Sequence, residues 1–326
     1  MIRVGLIGCG FMGRMHANVY GILENTELAL VCDNKVGRAE EFEKTFPTSR
    51  AATFDQMLSD DSIDVIDICL PTYLHCDHTV RALMAGKHVM CEKPMAMSLE
   101  EADRMIEAMN SSGKQLMLGH CIRFWPEYAY LKRAIDEGNL GDLLSINLSR
   151  TCEFPYWSSE NWLADEKLSG GAALDLHIHD SDFAHYILGK PDSISSFGTI
   201  DATGPCHVFT MLTKGKIVAH LEGGWNLPHH VPFKMSFRAI FERGAMIMDG
   251  GPLTVYEVDK DPVIPEFPRM EAAGGGNISD LGGYYHELKY FADSLEAGRP
   301  FEIVTAQSSK DSLELTLEEI RQIKGR

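Results

Sequence analysis

Residues 2–13 read Ile-Arg-Val-Gly-Leu-Ile-Gly-Cys-Gly-Phe-Met-Gly, an apolar stretch of strand length that runs into a glycine-rich turn. The turn has the pattern G-x-G-x-x-G, and a helical pattern follows over about residues 12–23. At such a junction Gly8 permits a tight turn, Gly10 lets a pyrophosphate approach the backbone, and Gly13 lets helix and strand pack closely. The free N–H groups of the helix N-terminus favour phosphate. The stretch predicts a dinucleotide site, with Phe11 and Met12 among its binding residues.

A carboxylate further along the chain strengthens this interpretation, because a bare G-x-G-x-x-G is a weak motif. A second strand is predicted over residues 27–32, and it ends at Asp33, followed by Asn34. An acid there can accept hydrogen bonds from both ribose hydroxyls of an adenosine and would repel a 2′-phosphate, so NAD is favoured over NADP. The alternative is a glycine turn without a ligand. Strand, turn, helix, strand and acid in this order argue against it.

Composition excludes several classes of partner. The chain has 326 residues, enough for two domains, with 44% apolar and 24% charged residues. A net charge of −17 argues against nucleic acid and against an anionic membrane, since both need clustered Lys and Arg. No apolar run is long enough for a membrane span, and the first residues lead straight into a strand, so we expect a cytoplasmic protein. None of the eight cysteines forms C-x-x-C, so we expect reduced thiols and no metal framework.

The first third of the chain alternates between strand and helix patterns. Further strands are predicted over residues 63–70, 88–91 and 115–119, with helical patterns over residues 36–46, 78–85 and 98–113. Such alternation implies an α/β fold, with a mainly parallel, doubly wound sheet and helices on both of its faces.

The pattern changes near residue 120. Period-two alternation over residues 144–149, 217–222 and 234–241 suggests a largely antiparallel sheet with one face buried on helices. Its other face could be solvated or could pair with another subunit. Helix candidates are residues 126–136, 172–188, 284–296 and 306–322. We expect two domains, residues 1–120 and 121–326, and leave open whether the last helix returns to the first domain.

Two loops at strand ends should approach a bound cofactor, because ligands of open parallel sheets sit at the carboxyl ends of the strands. The first contains Leu70, Pro71, Thr72 and His75; the alternative for it is a plain loop in which Thr72 caps a helix. The second is Glu92-Lys93-Pro94, where a lysine could hydrogen-bond and orient a substrate hydroxyl. Pro94 is a candidate for a cis peptide bond. The alternative for the second loop is a solvated surface ion pair.

A third candidate lies at Gly170-Gly171 and the helical segment that follows. On a helix Asp175 and His179 share a face, so an acid and an imidazole can grip one substrate together. Histidine is the natural proton acceptor near neutral pH. Metal binding by Asp175 and His179 is a weaker alternative, because no third ligand is evident from the spacing. His177 fits a core histidine better.

Other residues are less distinctive. Arg123, in the segment Arg123-Phe124-Trp125-Pro126 just past the domain boundary, could line a cleft, although plain packing is as good an interpretation. Trp162 and Tyr285 are further candidate substrate contacts. Residues 151–167, 224–232 and 270–285 lack a periodic pattern and are the expected substrate-specificity loops.

Taken in order, these motifs resemble the glucose-fructose oxidoreductase / inositol dehydrogenase / MocA (Gfo/Idh/MocA) family over nearly the whole chain. The resemblance rests on the glycine turn, Asp33, the loop at residues 71–75, Glu92-Lys93-Pro94, and Gly170-Gly171 leading to Asp175 and His179. It implies an N-terminal Rossmann domain and a C-terminal α+β domain with a large open sheet that often joins subunits into dimers or tetramers. It also implies NAD(P)-dependent oxidation or reduction of sugars, polyols or related alcohols.

Carried onto this chain, the resemblance makes Lys93, Asp175 and His179 the catalytic set. The segment at residues 170–182 is similar to inositol dehydrogenases, so we expect an inositol 2-dehydrogenase-like oxidoreductase acting on a secondary hydroxyl of a cyclic polyol or sugar. Asp33 is similar to NAD-preferring members, whereas Lys35 and Arg38 leave NADP open. Two alternatives remain: a family member that retains NAD and hydrolyses glycosides, and a non-catalytic dinucleotide-binding sensor.

Overall fold

The computed structural model describes residues 1–268 and 282–325. The chain forms two compact units, residues 1–125 with 268–310, and residues 126–267 with 311–326. The expected boundary at residue 120 stays a prediction. The third expected specificity loop, residues 270–285, lies mostly outside the described residues.

The strands of the described residues are, in chain order, β1 Ile2–Ile7, β2 Thr26–Cys32, β3 Arg50–Ala51, β4 Val65–Ile68, β5 His88–Cys91, β6 Leu116–Leu118, β7 Leu143–Glu153, β8 Ser193–Asp201, β9 Gly204–Lys214, β10 Ile217–Leu227, β11 Lys234–Phe241, β12 Gly244–Asp249 and β13 Thr254–Glu257. The helices are α1 Phe11–Tyr20, α2 Arg38–Thr45, α3 Phe54–Ser59, α4 His75–Met84, α5 Leu99–Ser112, α6 Pro126–Glu137, α7 Glu166–Ser169, α8 Ile178–Leu188, α9 Gly282–Glu296 and α10 Ala306–Lys324. None of the helices in this part of the chain combines the length and apolar character needed to cross a membrane.

The first unit is built on a parallel sheet. Among its described residues six strands lie in the order β3-β2-β1-β4-β5-β6, and every pairing is parallel. This is the Rossmann strand order, so the predicted doubly wound fold is confirmed. Val4, Leu6, Val65, Ile66 and Val89 are fully buried, as expected for strands covered on both faces. The reversal of strand order between β1 and β4 places the ends of these two strands at the edge where ligands bind.

The second unit holds an open sheet. Seven strands of the described residues lie in the order β13-β12-β11-β7-β10-β9-β8, and only the pairing of β7 with β10 is parallel. The predicted large, mostly antiparallel sheet is therefore confirmed. The alternation is visible in burial: Ile146, Leu148, Ala219 and Leu221 are fully buried, whereas Val218 is exposed.

The segment predicted as one helix over residues 172–188 departs from that prediction. A π-helical turn at Ala173–His177 precedes α8, and Gly170 and Gly171 before it both have positive φ, +73° and +72°. Hydrophobic spacing predicts that a segment is helical but does not distinguish π from α winding. Single π turns occur frequently at functional sites, and this one contains Asp175.

Candidate cofactor and catalytic site

The three positions of the first turn require glycine for different structural reasons. Gly8 has φ +99°, and a Cβ there would lie 2.3 Å from the Cys69 carbonyl oxygen. A Cβ on Gly13 would lie 2.0 Å from the carbonyl oxygen of Gly8, so these two glycines are required by the fold itself. A Cβ on Gly10 would meet nothing within 4 Å. The missing side chain at Gly10 therefore leaves open space at the N-terminus of α1, as a bound pyrophosphate needs.

Asp33 is anchored beside this turn, directly after β2. The backbone N–H of Cys9 donates to Asp33 Oδ2 over 2.9 Å, and the N–H of Lys35 donates to Oδ1 over 2.8 Å. The Arg38 guanidinium lies 3.6 Å from Oδ2. Burial, with the Asp33 charge adding to it, raises the pKa of the Cys9 thiol to about 12. A carboxylate has about four acceptor positions, so Asp33 retains capacity for ribose hydroxyls while it is held in place.

The loop after β4 is fixed by a histidine rather than by a helix cap. Thr72 is buried and begins a short 3₁₀ turn, Thr72–Leu74, so it does not act as the helix cap of the alternative interpretation. His75 is fully buried, with Nδ1 2.8 Å from the Pro94 carbonyl oxygen and Nε2 2.8 Å from that of Leu70. Burial lowers the pKa of His75. This imidazole ties the two predicted cofactor loops to each other, so its effect on a cofactor would pass through Leu70 and Pro94.

Glu92, Lys93 and Pro94 follow β5. Glu92 is buried, with 5% of its surface exposed, so a solvated surface ion pair does not describe this loop. Glu92 Oε1 lies 3.1 Å from His16 Nε2, and Oε2 accepts a hydrogen bond from the Lys93 backbone N–H over 3.1 Å. The Lys93–Pro94 peptide bond is cis, as expected. The side chain of Lys93 is partly exposed.

His16 and Asp67 are functional candidates that the sequence reasoning missed. His16 Nδ1 lies 2.8 Å from Asp67 Oδ2, and both side chains are fully buried. The sign was present in the sequence: Asp67 interrupts an apolar run of strand length, and a lone buried carboxylate needs a partner. The partner itself could not be read, because it is 51 residues away.

The group formed by His16, Asp67 and Cys69 has ligand atoms within 4.8 Å of one another, as a metal site would. Its chemistry favours an ion pair instead. Burial and the Asp67 charge raise the pKa of the Cys69 thiol well above its usual range, which disfavours the thiolate that binds metals. His16 Nδ1 is already engaged with Asp67.

The second unit holds the remaining predicted catalytic residues. Asp175 lies in the π-helical turn and His179 in the first turn of α8, and both are partly exposed. A π turn takes more residues than the 3.6 of an α turn, so positions four apart fall close to one full turn and share a face. His177 and Asp180 are fully buried. As expected, His177 is a core residue, with Nε2 3.5 Å from Glu319 Oε1.

Asp180 forms a buried ion pair with Arg150. The Arg150 Nε atom lies 3.1 Å from Asp180 Oδ2 and Nη2 lies 3.3 Å from Oδ1, a bidentate arrangement. Burial raises the pKa of Asp180 even though the arginine opposes that shift. This pair links α8 to β7 through Asp180, which is the residue after His179.

The structure shows what surrounds the three further residues that the sequence predicts as substrate contacts. Arg123 is buried, and its Nη1 donates to the Ile303 carbonyl oxygen over 2.6 Å and to Ser308 Oγ over 3.1 Å, which agrees with the packing alternative. Trp162 packs against a buried cluster that contains Trp225. Tyr285 lies in α9, half-buried, with its ring 5.3 Å from that of His286.

Of the predicted catalytic residues, Lys93 belongs to the first unit and Asp175 and His179 to the second.

Comparison with known families decides the classification. A model of the GFO/IDH/MocA oxidoreductase family with an NAD-binding Rossmann fold matches residues 2–120, and a model of the family's C-terminal domain matches residues 128–247. The chain belongs to the Gfo/Idh/MocA oxidoreductase family. Its first domain is thus an NAD-binding Rossmann domain, as the glycine turn and Asp33 predict.

Among relatives of this Gfo/Idh/MocA protein, the D-glucoside 3-dehydrogenase of Escherichia coli (strain K12) is 34% identical over 58% of this chain and 55% of its own. The 2,7-anhydro-N-acetylneuraminate hydratase of the same organism is 29% identical over 61% of this chain and 53% of its own. The matched segment thus spans about half the length of these relatives. A levoglucosan dehydrogenase in complex with NADH and levoglucosan superposes with a TM-score of 0.84 at 22% identity, covering 98% of this chain and 97% of that one, which shows the shared fold.

Proposed function

We propose that this protein is an NAD-dependent dehydrogenase that oxidises a secondary hydroxyl of a cyclic polyol or sugar. The observation that carries the proposal is Lys93, held at the carboxyl end of β5 by a buried Glu92, in the same parallel sheet whose first turn leaves open space at Gly10. Carboxyl ends of parallel strands are where such sheets bind ligands. The D-glucoside 3-dehydrogenase relative supports the substrate class.

The roles of the three catalytic residues follow from their chemistry. Bound NAD supplies a hydride acceptor. His179 takes the proton of the substrate hydroxyl, because an imidazole is the side chain that accepts a proton near neutral pH. Lys93 hydrogen-bonds the same oxygen and stabilises the negative charge that develops on it. Asp175 holds the adjacent hydroxyl or the lysine.

We infer that NAD is preferred over NADP. The two backbone donors on Asp33 keep its carboxylate at the end of β2, where it would accept ribose hydroxyls and repel a 2′-phosphate. Arg38 lies beside the same carboxylate, so part of the positive charge that NADP would need is already neutralised. NADP therefore remains a weaker second cofactor.

The experiment is an NADH-absorbance screen against inositols, aldoses, glycosides and anhydrosugars, with NAD and NADP in parallel. The proposal expects nucleotide reduction with at least one cyclic polyol or sugar, faster with NAD. Absence of reduction across the panel, by a protein that binds NAD, would contradict it.

A second candidate is a reaction without net oxidation, for which tightly bound NAD would supply temporary storage of the hydride within one turnover. The relative named as a hydratase favours this class, because hydration changes no net oxidation state. The two candidates differ in one measurement. Conversion of an anhydrosugar or glycoside with no accumulation of NADH would favour the second candidate.

We also propose that the open sheet joins two or more copies of the chain. Phe197, Phe209, Met211 and Val218 are 53%, 38%, 42% and 41% exposed, and the pairings of Phe197 with Phe209 and of Thr213 with Val218 place their strands side by side. Large exposed apolar patches on a sheet are typical of interaction surfaces. Phe209→Glu with Met211→Glu should lower the mass measured by light scattering, whereas Met84→Glu, which changes an exposed side chain of α4, should not. The expected cytoplasmic location stays a prediction.

A further inference from the structure

Three buried ionisable side chains form a chain in the first unit that reaches the backbone of Lys93. Asp67 is in β4, His16 in α1, and Glu92 follows β5, with exposed fractions of 0%, 0% and 5%. His16 Nδ1 lies 2.8 Å from Asp67 and His16 Nε2 lies 3.1 Å from Glu92. One imidazole therefore faces two carboxylates, with a hydrogen bond to Asp67 in β4 and an ion-pair contact with Glu92 just after β5.

The charges in this chain support each other. Burial alone would lower the pKa of His16, but the charge of Asp67 and its hydrogen bond to the imidazole outweigh burial and hold the pKa well above 6.5. Burial alone would raise the pKa of Glu92, but contact with His16 reverses the shift and the pKa is lowered. These shifts favour the imidazolium form of His16 beside Asp67 and Glu92.

Neighbouring elements face this imidazolium with further titratable groups. Burial, with Asp67 next in importance, raises the pKa of Tyr20 in α1 well above its usual value. From α9, Tyr284 and Glu287 contribute a phenol and a buried carboxyl to the same interior. Cys69 Sγ lies 3.4 Å from His16 Nδ1. None of these groups brings a second positive charge to His16, and the cationic groups Lys93 and His75 act on Glu92.

Glu92 connects this interior to the catalytic lysine. Its Oε2 accepts the Lys93 backbone N–H, while Oε1 faces His16. Gly119 leaves room for the carboxylate, since a Cβ there would lie 3.1 Å from Oε2. On the other side of the lysine, His75 lies against the Pro94 carbonyl oxygen. The peptide that carries Lys93 is therefore held at both ends by buried imidazoles, one of them through Glu92.

Buried ionic groups of this kind add little net stability to a fold. Replacing buried ionic groups by apolar side chains of similar volume is often neutral or stabilising, so their presence points to a need for orientation. We propose that His16, oriented by Asp67, is a positioning residue for Lys93 that acts through Glu92. The inference rests on the proposed function, in which Lys93 contacts the substrate oxygen. A displacement of about 1 Å in a reacting group can cost ~10²-fold in rate.

The test compares Glu92→Gln and His16→Gln with Lys87→Met. Glu92→Gln keeps size and shape but removes the charge that His16 holds. Lys87 is a buried residue before β5, at the opposite end of the same strand, where its Nζ donates to the carbonyl oxygens of Asp60 and Ile63, so its loss should affect stability alone. We expect Glu92→Gln and His16→Gln to lower kcat by ~10- to ~100-fold with KM for NAD little changed, and Lys87→Met to leave kcat unchanged.

A double-mutant cycle then separates positioning from stability. In a Lys93→Ala background, Glu92→Gln should lower kcat by less than about twofold, because the group that it positions is already gone. Equal losses in both backgrounds would overturn the inference, as would a folded Glu92→Gln enzyme with normal kcat. Because Glu92→Gln is isosteric, its result still tests the link through Glu92 to Lys93 if His16→Gln fails to fold. Failure of the proposed function has a different outcome, in which Lys93→Ala itself leaves turnover intact.

Discussion

The imidazole Nδ1 of His16 lies 2.8 Å from the carboxylate of Asp67, and neither side chain has contact with solvent. Burial opposes the imidazolium, but Asp67 outweighs it, so the pKa of His16 is held well above 6.5. A raised pKa in the folded state means that the stabilisation is fully present below about pH 6.5 and is lost as the pH rises through the raised value. Glu92, whose pKa is lowered, loses its contribution only in acid, as the pH falls through its lowered pKa.

This sign gives a prediction for stability against pH. The difference in unfolding free energy between the wild-type protein and His16→Gln should be largest at about pH 5 to 6 and should shrink as the pH is raised towards about 9. Urea titrations across this range measure it. A difference that stays constant, or that grows with pH, would contradict the ion pair.

Substitution of two glycines of the first turn should have different effects, one on NAD binding and the other on stability. Gly10→Ala should leave the thermal midpoint nearly unchanged, since its Cβ meets nothing within 4 Å and the residue has φ −83°. It should weaken NAD binding by ~10-fold or more, or ~1.4 kcal/mol, because the methyl group would occupy the space of the pyrophosphate. Gly13→Ala should instead destabilise the fold, because its Cβ would clash with the Gly8 carbonyl. Differential scanning fluorimetry and NAD titration measure the two effects; loss of stability in Gly10→Ala would refute the distinction.

Replacement of Asp33 should change cofactor preference. Asp33→Ser removes the acceptor for the ribose hydroxyls and frees Arg38 to contact a 2′-phosphate. A hydrogen bond to a charged group is worth ~1.5–3 kcal/mol, so the ratio of kcat/KM for NAD over NADP should fall by ~10-fold or more. Asp55→Ser, which changes an 83% exposed carboxylate in the same unit, is the matched control. An unchanged ratio would remove Asp33 from the cofactor site.

The buried pair of Arg150 and Asp180 should dominate the stability of the second unit. Arg150→Met leaves a fully buried carboxylate without its partner and should cost ~3–5 kcal/mol. Lys132→Met breaks the more exposed pair with Asp136 and should cost only ~0.3–0.5 kcal/mol. Adding Asp180→Leu to Arg150→Met should recover most of the loss. If chemical denaturation shows that Arg150→Met and Lys132→Met are equally stable, the Arg150–Asp180 pair does not have this role.

Local sequence patterns were sufficient to predict the elements whose structure depends mainly on their own residues. The turn at Gly8, Gly10 and Gly13 and the alternation of β7, β10 and β11 follow from spacing alone, and both were predicted. β3 has two residues, too few for a period to show, and β8, β9, β12 and β13 were not predicted. These strands depend on pairing with neighbours more than on their own pattern.

The candidate site divides in the same way. Lys93, Asp175 and His179 could be proposed from the sequence because they lie next to recognisable motifs, and their catalytic roles stay predictions. The His16–Asp67 contact was missed because it joins residues 51 positions apart and exists only once α1 packs on the sheet. The π-helical turn around Asp175 was also missed, since hydrophobic spacing cannot distinguish one helical winding from another.

In the proposed reaction Lys93 acts directly on the alcohol that is oxidised. The most direct measurement is the rate of NADH formation by Lys93→Ala, with a substrate found for the wild-type enzyme and with NAD binding measured on the same sample. Turnover by Lys93→Ala should fall by at least ~10²-fold while NAD still binds. Near-normal turnover by a folded, NAD-binding Lys93→Ala protein would contradict it.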